Sequence, residues 1–107
     1  MIIISKFLIP RGFVGITIYP FVFLKSKELK KDVILINHEK IHLQQQLELL
    51  IVFFYLFYLI EWFIKLIYYR NWTIAYKNLS FEKEAYENEN NFNYTKERKK
   101  YAFLNYF

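Results

Sequence analysis

Residues 33–70 read VILINHEKIHLQQQLELLIVFFYLFYLIEWFIKLIYYR, and neither glycine nor proline interrupts them. A helix can therefore run a long way here, because no residue removes a backbone donor or favours a break. Ile34, Ile41 and Leu49 recur near helical spacing with His, Glu, Lys and Gln between them, which predicts an amphipathic first part. From Leu49 to Ile60 every residue is aliphatic or aromatic. Glu61 and Lys65 then stand one helical turn apart, placed to pair. Leu49–Tyr69 has the roughly 20 mostly apolar residues that a bilayer crossing needs. Trp62, Tyr68 and Tyr69 suit a membrane–water interface, and the charged pair suits an end that is interfacial or faces protein. Asp32 precedes the run and is predicted to cap it.

Outward from this segment the chain is less regular. Residues 1–24 are mostly apolar, with a turn signal at Pro10-Arg11-Gly12 and β-branched and aromatic types from Phe13 to Tyr19. They predict two short strands joined at Pro10–Gly12, the alternative being a membrane hairpin. A signal peptide fits poorly, because Pro10 and Arg11 interrupt the stretch and no small-residue cleavage site follows. Residues 25–32 form a polar connection with four lysines, which reads as a solvated loop or a contact for anionic head groups. Arg70–Ser80 reads as a second connection, with Ser80 as a candidate cap for a helix from Phe81 to about Asn90. Glu82 and Glu84 place acid in its first turn, which suits the helix dipole. The tail carries Lys96, Arg98, Lys99 and Lys100 and reads as a charged helix or a loose segment.

Composition narrows the class. The chain has 107 residues, one domain's worth. Hydrophobic residues make up 55% and aromatics 22%, more than so small a globule readily hides, so part of the apolar surface is expected to face lipid or a partner. The absence of cysteine excludes disulfides and thiolate metal sites. The net charge of +5, beside so much apolar content, favours an anionic membrane surface as partner over nucleic acid, for which there is no motif.

Chemistry concentrates at His38-Glu39-Lys40-Ile41-His42, which holds both histidines of the chain. On a helix, positions i and i+4 share a face, so two imidazoles can reach one metal ion from the same side. Glu39, about 100° around, can approach the open metal position and take a proton from water. Gln45 shares the face of the two histidines and reads either as support for the site or as plain polar helix face; Glu48 is a weaker candidate for the same support, and Asn37 carries little weight.

The segment resembles the motif of the zincin metallopeptidases. The gluzincin branch takes its third ligand from a Glu on a later helix, so the resemblance implies Zn²⁺ held by His38, His42 and Glu84, with Glu87 and Glu82 as alternatives in Phe81-Glu82-Lys83-Glu84-Ala85-Tyr86-Glu87. The metzincin branch needs Gly at position 45 and His at position 48, where this chain has Gln45 and Glu48. The whole chain is also similar to small bacterial membrane proteins that carry His-Glu-x-x-His followed by Gln-Gln. No His or Arg stands out as an oxyanion partner; Tyr86 or Tyr94 could donate instead.

These readings predict one mainly α domain over 1–107. A β or hydrophobic element occupies 1–24, the motif and apolar helix 33–70, and a Glu-bearing helix with a basic tail 81–107. An unbroken helix from His38 to Arg70 would be roughly 48 Å long, and the fourteen residues back to Glu84 span at most about 46–50 Å. If Glu84 reaches the histidines, the segment must break, between Leu56 and Trp62, into a hairpin dipping into one leaflet. Basic residues at both ends favour that hairpin, with the basic segments on the cytoplasmic side of a bacterial inner membrane. The function implied is a zinc-dependent membrane metallopeptidase with Glu39 as general base and a peptide as substrate. The alternative is a non-catalytic membrane subunit with a structural or vestigial metal and a protein partner. A third reading takes Glu39-x-x-His42 as half of a di-iron site that only a homodimer would complete.

Overall fold

The computed structural model describes residues 2–9 and 12–107. Pro10 and Arg11, on which most of the predicted turn falls, lie outside the described residues. Strands β1 (Ile2–Ile4), β2 (Gly15–Ile18) and β3 (Phe21–Leu24) form one sheet in the order β1-β3-β2. The hairpin is β2–β3, antiparallel with Ile16 opposite Phe23, while β1 runs parallel to β3 with Ile3 opposite Phe23. Among the described residues the N-terminal β element is thus three strands, and its antiparallel hairpin turns at Tyr19-Pro20. Proline sits comfortably between the two strands, where no ladder donor is required of it.

Five helices follow: α1 (Val33–Glu48), α2 (Val52–Tyr69), α3 (Trp72–Lys77), α4 (Ser80–Asn88) and the short α5 (Tyr94–Glu97), with 3₁₀ turns at Lys27–Lys31 and Ala102–Tyr106. Asp32 caps α1 as its sequence predicts, its carboxylate accepting from Leu35 N at 3.1 Å. The predicted connection Arg70–Ser80 holds α3, started by Asn71, whose side chain accepts from Ile74 N at 3.0 Å. Ser80 is the first residue of α4 and not its cap. Its N–H and hydroxyl both donate, at 2.7 Å, to the buried carboxylate of Glu61 on α2. Glu61 also meets Lys65 at 3.7 Å, the pair that the i, i+4 spacing predicts.

The long segment does break, but at Leu49–Ile51, at the start of the apolar run rather than between Leu56 and Trp62. Leu50 and Ile51 take positive φ values of 56° and 62°. Ile51, with ψ −58°, is the centre of a γ-turn closed from Val52 N to Leu50 O, a strained conformation for a β-branched residue. No breaker in the sequence announces this turn. What holds it is tertiary: Gln46, in the last turn of α1, is clamped to β2, and α2 is folded back so that Phe54 and Tyr58 pack on Phe81 of α4. Phe54, Phe81 and Phe103 form the centre of the core, the last brought in by the C-terminal 3₁₀ turn.

α2 is long and apolar enough to cross a membrane. Over most of its length its polar residues and Phe54 face the protein, while the outward face is aliphatic and phenylalanine. Phe54 and Glu61 are buried and Tyr58, Trp62 and Lys65 partly so, while Phe53, Leu56, Phe57, Ile60, Phe63, Ile64 and Ile67 are exposed.

Candidate metal centre

α1 presents its polar face inward. Asn37, His38, Glu39, His42, Gln45 and Gln46 are all buried, with Ile41 beside them, while Val33, Ile34, Lys40 and Leu47 are exposed. Buried polar groups need partners, and each of these has one. The Asn37 amide donates to the carbonyls of Asn88, Glu89 and Asn91, so it takes up the free carbonyls at the C-terminus of α4. Gln46 spans the free edge of β2, accepting from Tyr19 N and donating to Thr17 O, both at 2.7 Å.

The tautomers of both histidines follow from their neighbours. Gln45 Nε2 donates to Phe81 O and to Glu84 Oε1, at 3.1 and 2.8 Å, which turns its amide oxygen toward His42. His42 Nδ1 must then donate to that oxygen, 2.8 Å away. His38 Nδ1 donates in the same way to Glu89 Oε2 at 2.8 Å. Both imidazoles are thereby left with Nε2 for the interior of the site. The two Nε2 atoms are 3.2 Å apart. Glu82 Oε1 lies 3.4 Å from that of His38 and 3.2 Å from that of His42. Glu82 Oε2 accepts from Tyr58 OH at 2.7 Å, which fixes the carboxylate.

Glu39 sits beside this trio. Ligand atoms of His38, Glu39 and His42 lie within 4.8 Å of one another, a set that could hold a metal ion. Thr17 on β2 donates to Glu39 Oε1 at 3.2 Å, and a side chain at Gly15 would meet Glu39 Cδ at 3.8 Å, so β2 runs directly against the carboxylate. Two cavities flank it. One, of about 220 Å³, reaches His42 and Glu82; the other, of about 570 Å³, reaches His38 and Tyr86. Phe13, Gly15, Glu39, Trp62 and Tyr76 line both.

Charge is unevenly distributed among these groups. Burial alone would lower the His42 imidazole, but the Glu82 carboxylate raises it to about 9. Burial would likewise raise Glu82, yet His42 and His38 hold its carboxyl well below the usual range. Burial pushes the Glu39 carboxyl up, against the opposing pull of the two imidazoles and Thr17. The trio therefore retains a proton on His42 Nε2 when no metal competes for it, since two lone pairs and a carboxylate this close need a cation among them.

Glu84, the first choice for third ligand, is not brought to the imidazoles. Its carboxylate is fully buried against Arg98, Tyr94 OH and Gln45. Arg98 also grips Glu48 with Nη1 and Nη2, at 2.6 and 3.1 Å. Glu48 therefore belongs to this ion cluster and not to the histidines, and the basic tail is anchored at Arg98. Glu87 is exposed. Of the tyrosines considered as donors, Tyr94 is committed to Glu84, while the Tyr86 ring stands 4.6 Å from that of His38. Sequence reasoning missed Glu89, Thr17, Tyr58 and Arg98. Only Glu89 had a readable signal: it follows Glu82 by seven residues, two helical turns along one face.

Compared with protein-family models, with curated proteins and with solved structures, the chain matches none of them.

Proposed function

We propose that this chain is a membrane-associated, zinc-dependent hydrolase of peptide bonds, with His38, His42 and Glu82 as metal ligands and Glu39 as general base. The observation that carries the reading is the convergence of three electron-pair donors at mutual distances of 3.2–3.4 Å. Neighbouring ligands of a tetrahedral zinc ion with bonds near 2.0–2.1 Å are about 3.3 Å apart. The donor set suits zinc chemically, and the hydrogen bonds from both Nδ1 atoms orient the imidazoles as ligating histidines are commonly oriented. Zinc bound there would polarise a carbonyl and ease the ionisation of water.

The chain's own residues account for the rest. Glu39 takes a proton from the attacking water and delivers it to the leaving amine, a role that its raised pKa suits. Thr17 holds the carboxylate toward the cavities between β2 and α2. The exposed apolar face of α2 supports the membrane association. Glu39→Gln should leave metal content unchanged and lower turnover of quenched-fluorescence peptides in mixed micelles by about 10²–10⁴-fold. Undiminished turnover in that variant would sink the mechanism.

One observation favours a second reading, a non-catalytic membrane subunit with a structural metal. Arg98, the one cation buried near the site among the described residues, is spent on Glu84 and Glu48. A chain that copurifies with a stoichiometric protein partner, and functions normally as Glu39→Gln, would establish it.

A further inference from the structure

α2 has two unlike faces, and their positions along the helix decide how a membrane would meet it. The outward stripe of Phe53, Leu56, Phe57, Ile60, Phe63 and Ile67 is exposed from end to end, Phe63 at 65%. The inward face holds charge at mid-length. Glu61 is the tenth of eighteen helical residues and is buried against Ser80. Lys65, one turn on, donates to Asn78 O at 3.0 Å.

A bilayer-spanning α2 would put Glu61 near the midplane and Ser80 with it. The start of α4 and exposed Lys77, three residues before Ser80, would follow to that depth. Charged side chains facing hydrocarbon there are costly. A helix lying in the plane of one leaflet avoids the cost, since its apolar stripe enters the acyl layer while α3, α4 and the polar face stay above it. Exposed Tyr68, Tyr69 and Trp72 at the far end suit the interface. Exposed lysines at 25, 27, 30 and 31, and at 96, 99 and 100, together with a net charge of +5, complement anionic head groups.

We infer that α2 is an in-plane anchor seated on an anionic lipid leaflet, with both of its ends on the same side of the membrane. The cavity beside Glu39 and His42 is lined by Phe54, Tyr58 and Trp62, from the side of the same helix that faces the protein. The site then sits at head-group depth, directly above the acyl chains. The substrate class this assigns, which rests on the hydrolase reading above, is a polypeptide already held at the bilayer surface.

The chain has no cysteine, so single-cysteine variants at exposed Leu47, before α2, and exposed Thr73, after it, report sidedness cleanly. Each is expressed in a bacterium and treated with a membrane-impermeant maleimide in spheroplasts and in inside-out vesicles. Both positions are expected to react in the same one of the two preparations, and in the other only after detergent. Reaction in opposite preparations would mean a spanning helix and would overturn the inference. So would recovery of the protein as a soluble dimer indifferent to vesicles, with a second copy covering the stripe. In flotation, Phe57→Glu with Phe63→Glu should lower binding to phosphatidylglycerol vesicles at least tenfold, and wild type should bind phosphatidylcholine vesicles at least tenfold more weakly. Equal binding in either comparison would refute the lipid face. None of these readouts involves metal or turnover, so this inference and the hydrolase reading fail separately.

Discussion

Replacing Arg98 by methionine keeps the aliphatic path of the side chain and deletes the guanidinium that joins α1, α4 and the tail. In the wild type that side chain is 1% exposed, Glu84 is 0% and Glu48 11%. Arg98 reaches Glu84 through Nε and Nη2 and Glu48 through Nη1 and Nη2. In the variant the Glu84 carboxylate stays buried with only Tyr94 OH and Gln45 Nε2 as donors. Stranding one partner of a buried ion pair costs about 3–5 kcal/mol, a large share of the roughly 5–15 kcal/mol that holds a domain folded. At about 4 °C or more per kcal/mol for a chain of this size, the midpoint of thermal unfolding should fall by at least about 12 °C. Urea unfolding in detergent, followed by far-ultraviolet circular dichroism, measures the same loss. Adding Glu84→Gln removes the stranded charge, so the double variant should recover at least about 1 kcal/mol over additivity. A single variant within about 1 kcal/mol of wild type, or strict additivity in the double, would refute the buried-cluster account.

Other consequences are equally open to measurement. Gln45→Ala deprives His42 Nδ1 of its acceptor and should weaken zinc binding by about 10–100-fold in a competition titration. Leu50→Gly relieves the left-handed conformation at Leu50 and should raise stability by about 1 kcal/mol in urea. For the metal-free protein, stability should peak near pH 4.5 and decline as pH rises from there through about 9. His42 is raised from 6.5 to about 9, so its contribution is complete below 6.5 and is lost as pH rises through 9. Glu39, also raised, loses stability in the same direction as pH climbs above its ordinary value of 4.5. Glu82 is lowered from 4.5, so its contribution is present above that value and disappears as pH falls through the folded value. Urea midpoints across pH 3–10 report this profile. Zinc takes the place of the His42 proton, so its affinity should rise with pH up to about 9.

What could be read in the sequence was what local chemistry sets. The cap at Asp32, the Glu61–Lys65 pairing, the apolar stretch of α2 and the i, i+4 histidines all depend on residues a turn apart. Tyr19-Pro20 is a weaker local turn signal than Pro10-Arg11-Gly12, yet the β2–β3 ladder forms across it. The helix break was invisible for a different reason. Leu49-Leu50-Ile51 has no preference for turning, and the fold imposes the turn through Gln46 and the Phe54–Phe81 contact. The third acidic partner was also beyond local reasoning. Glu82 and Glu84, two residues apart on α4, point to nearly opposite sides. Which of them meets the histidines depends on Arg98, fourteen residues past Glu84, and that pairing is made only in the folded chain.

The most direct test of the metal centre is zinc content by plasma mass spectrometry, on detergent-purified wild type, Glu82→Gln and Glu84→Gln in parallel. The account expects about one zinc per chain in wild type and in Glu84→Gln, and its loss in Glu82→Gln. Zinc kept in Glu82→Gln and lost in Glu84→Gln, or no zinc in any of the three, would contradict it.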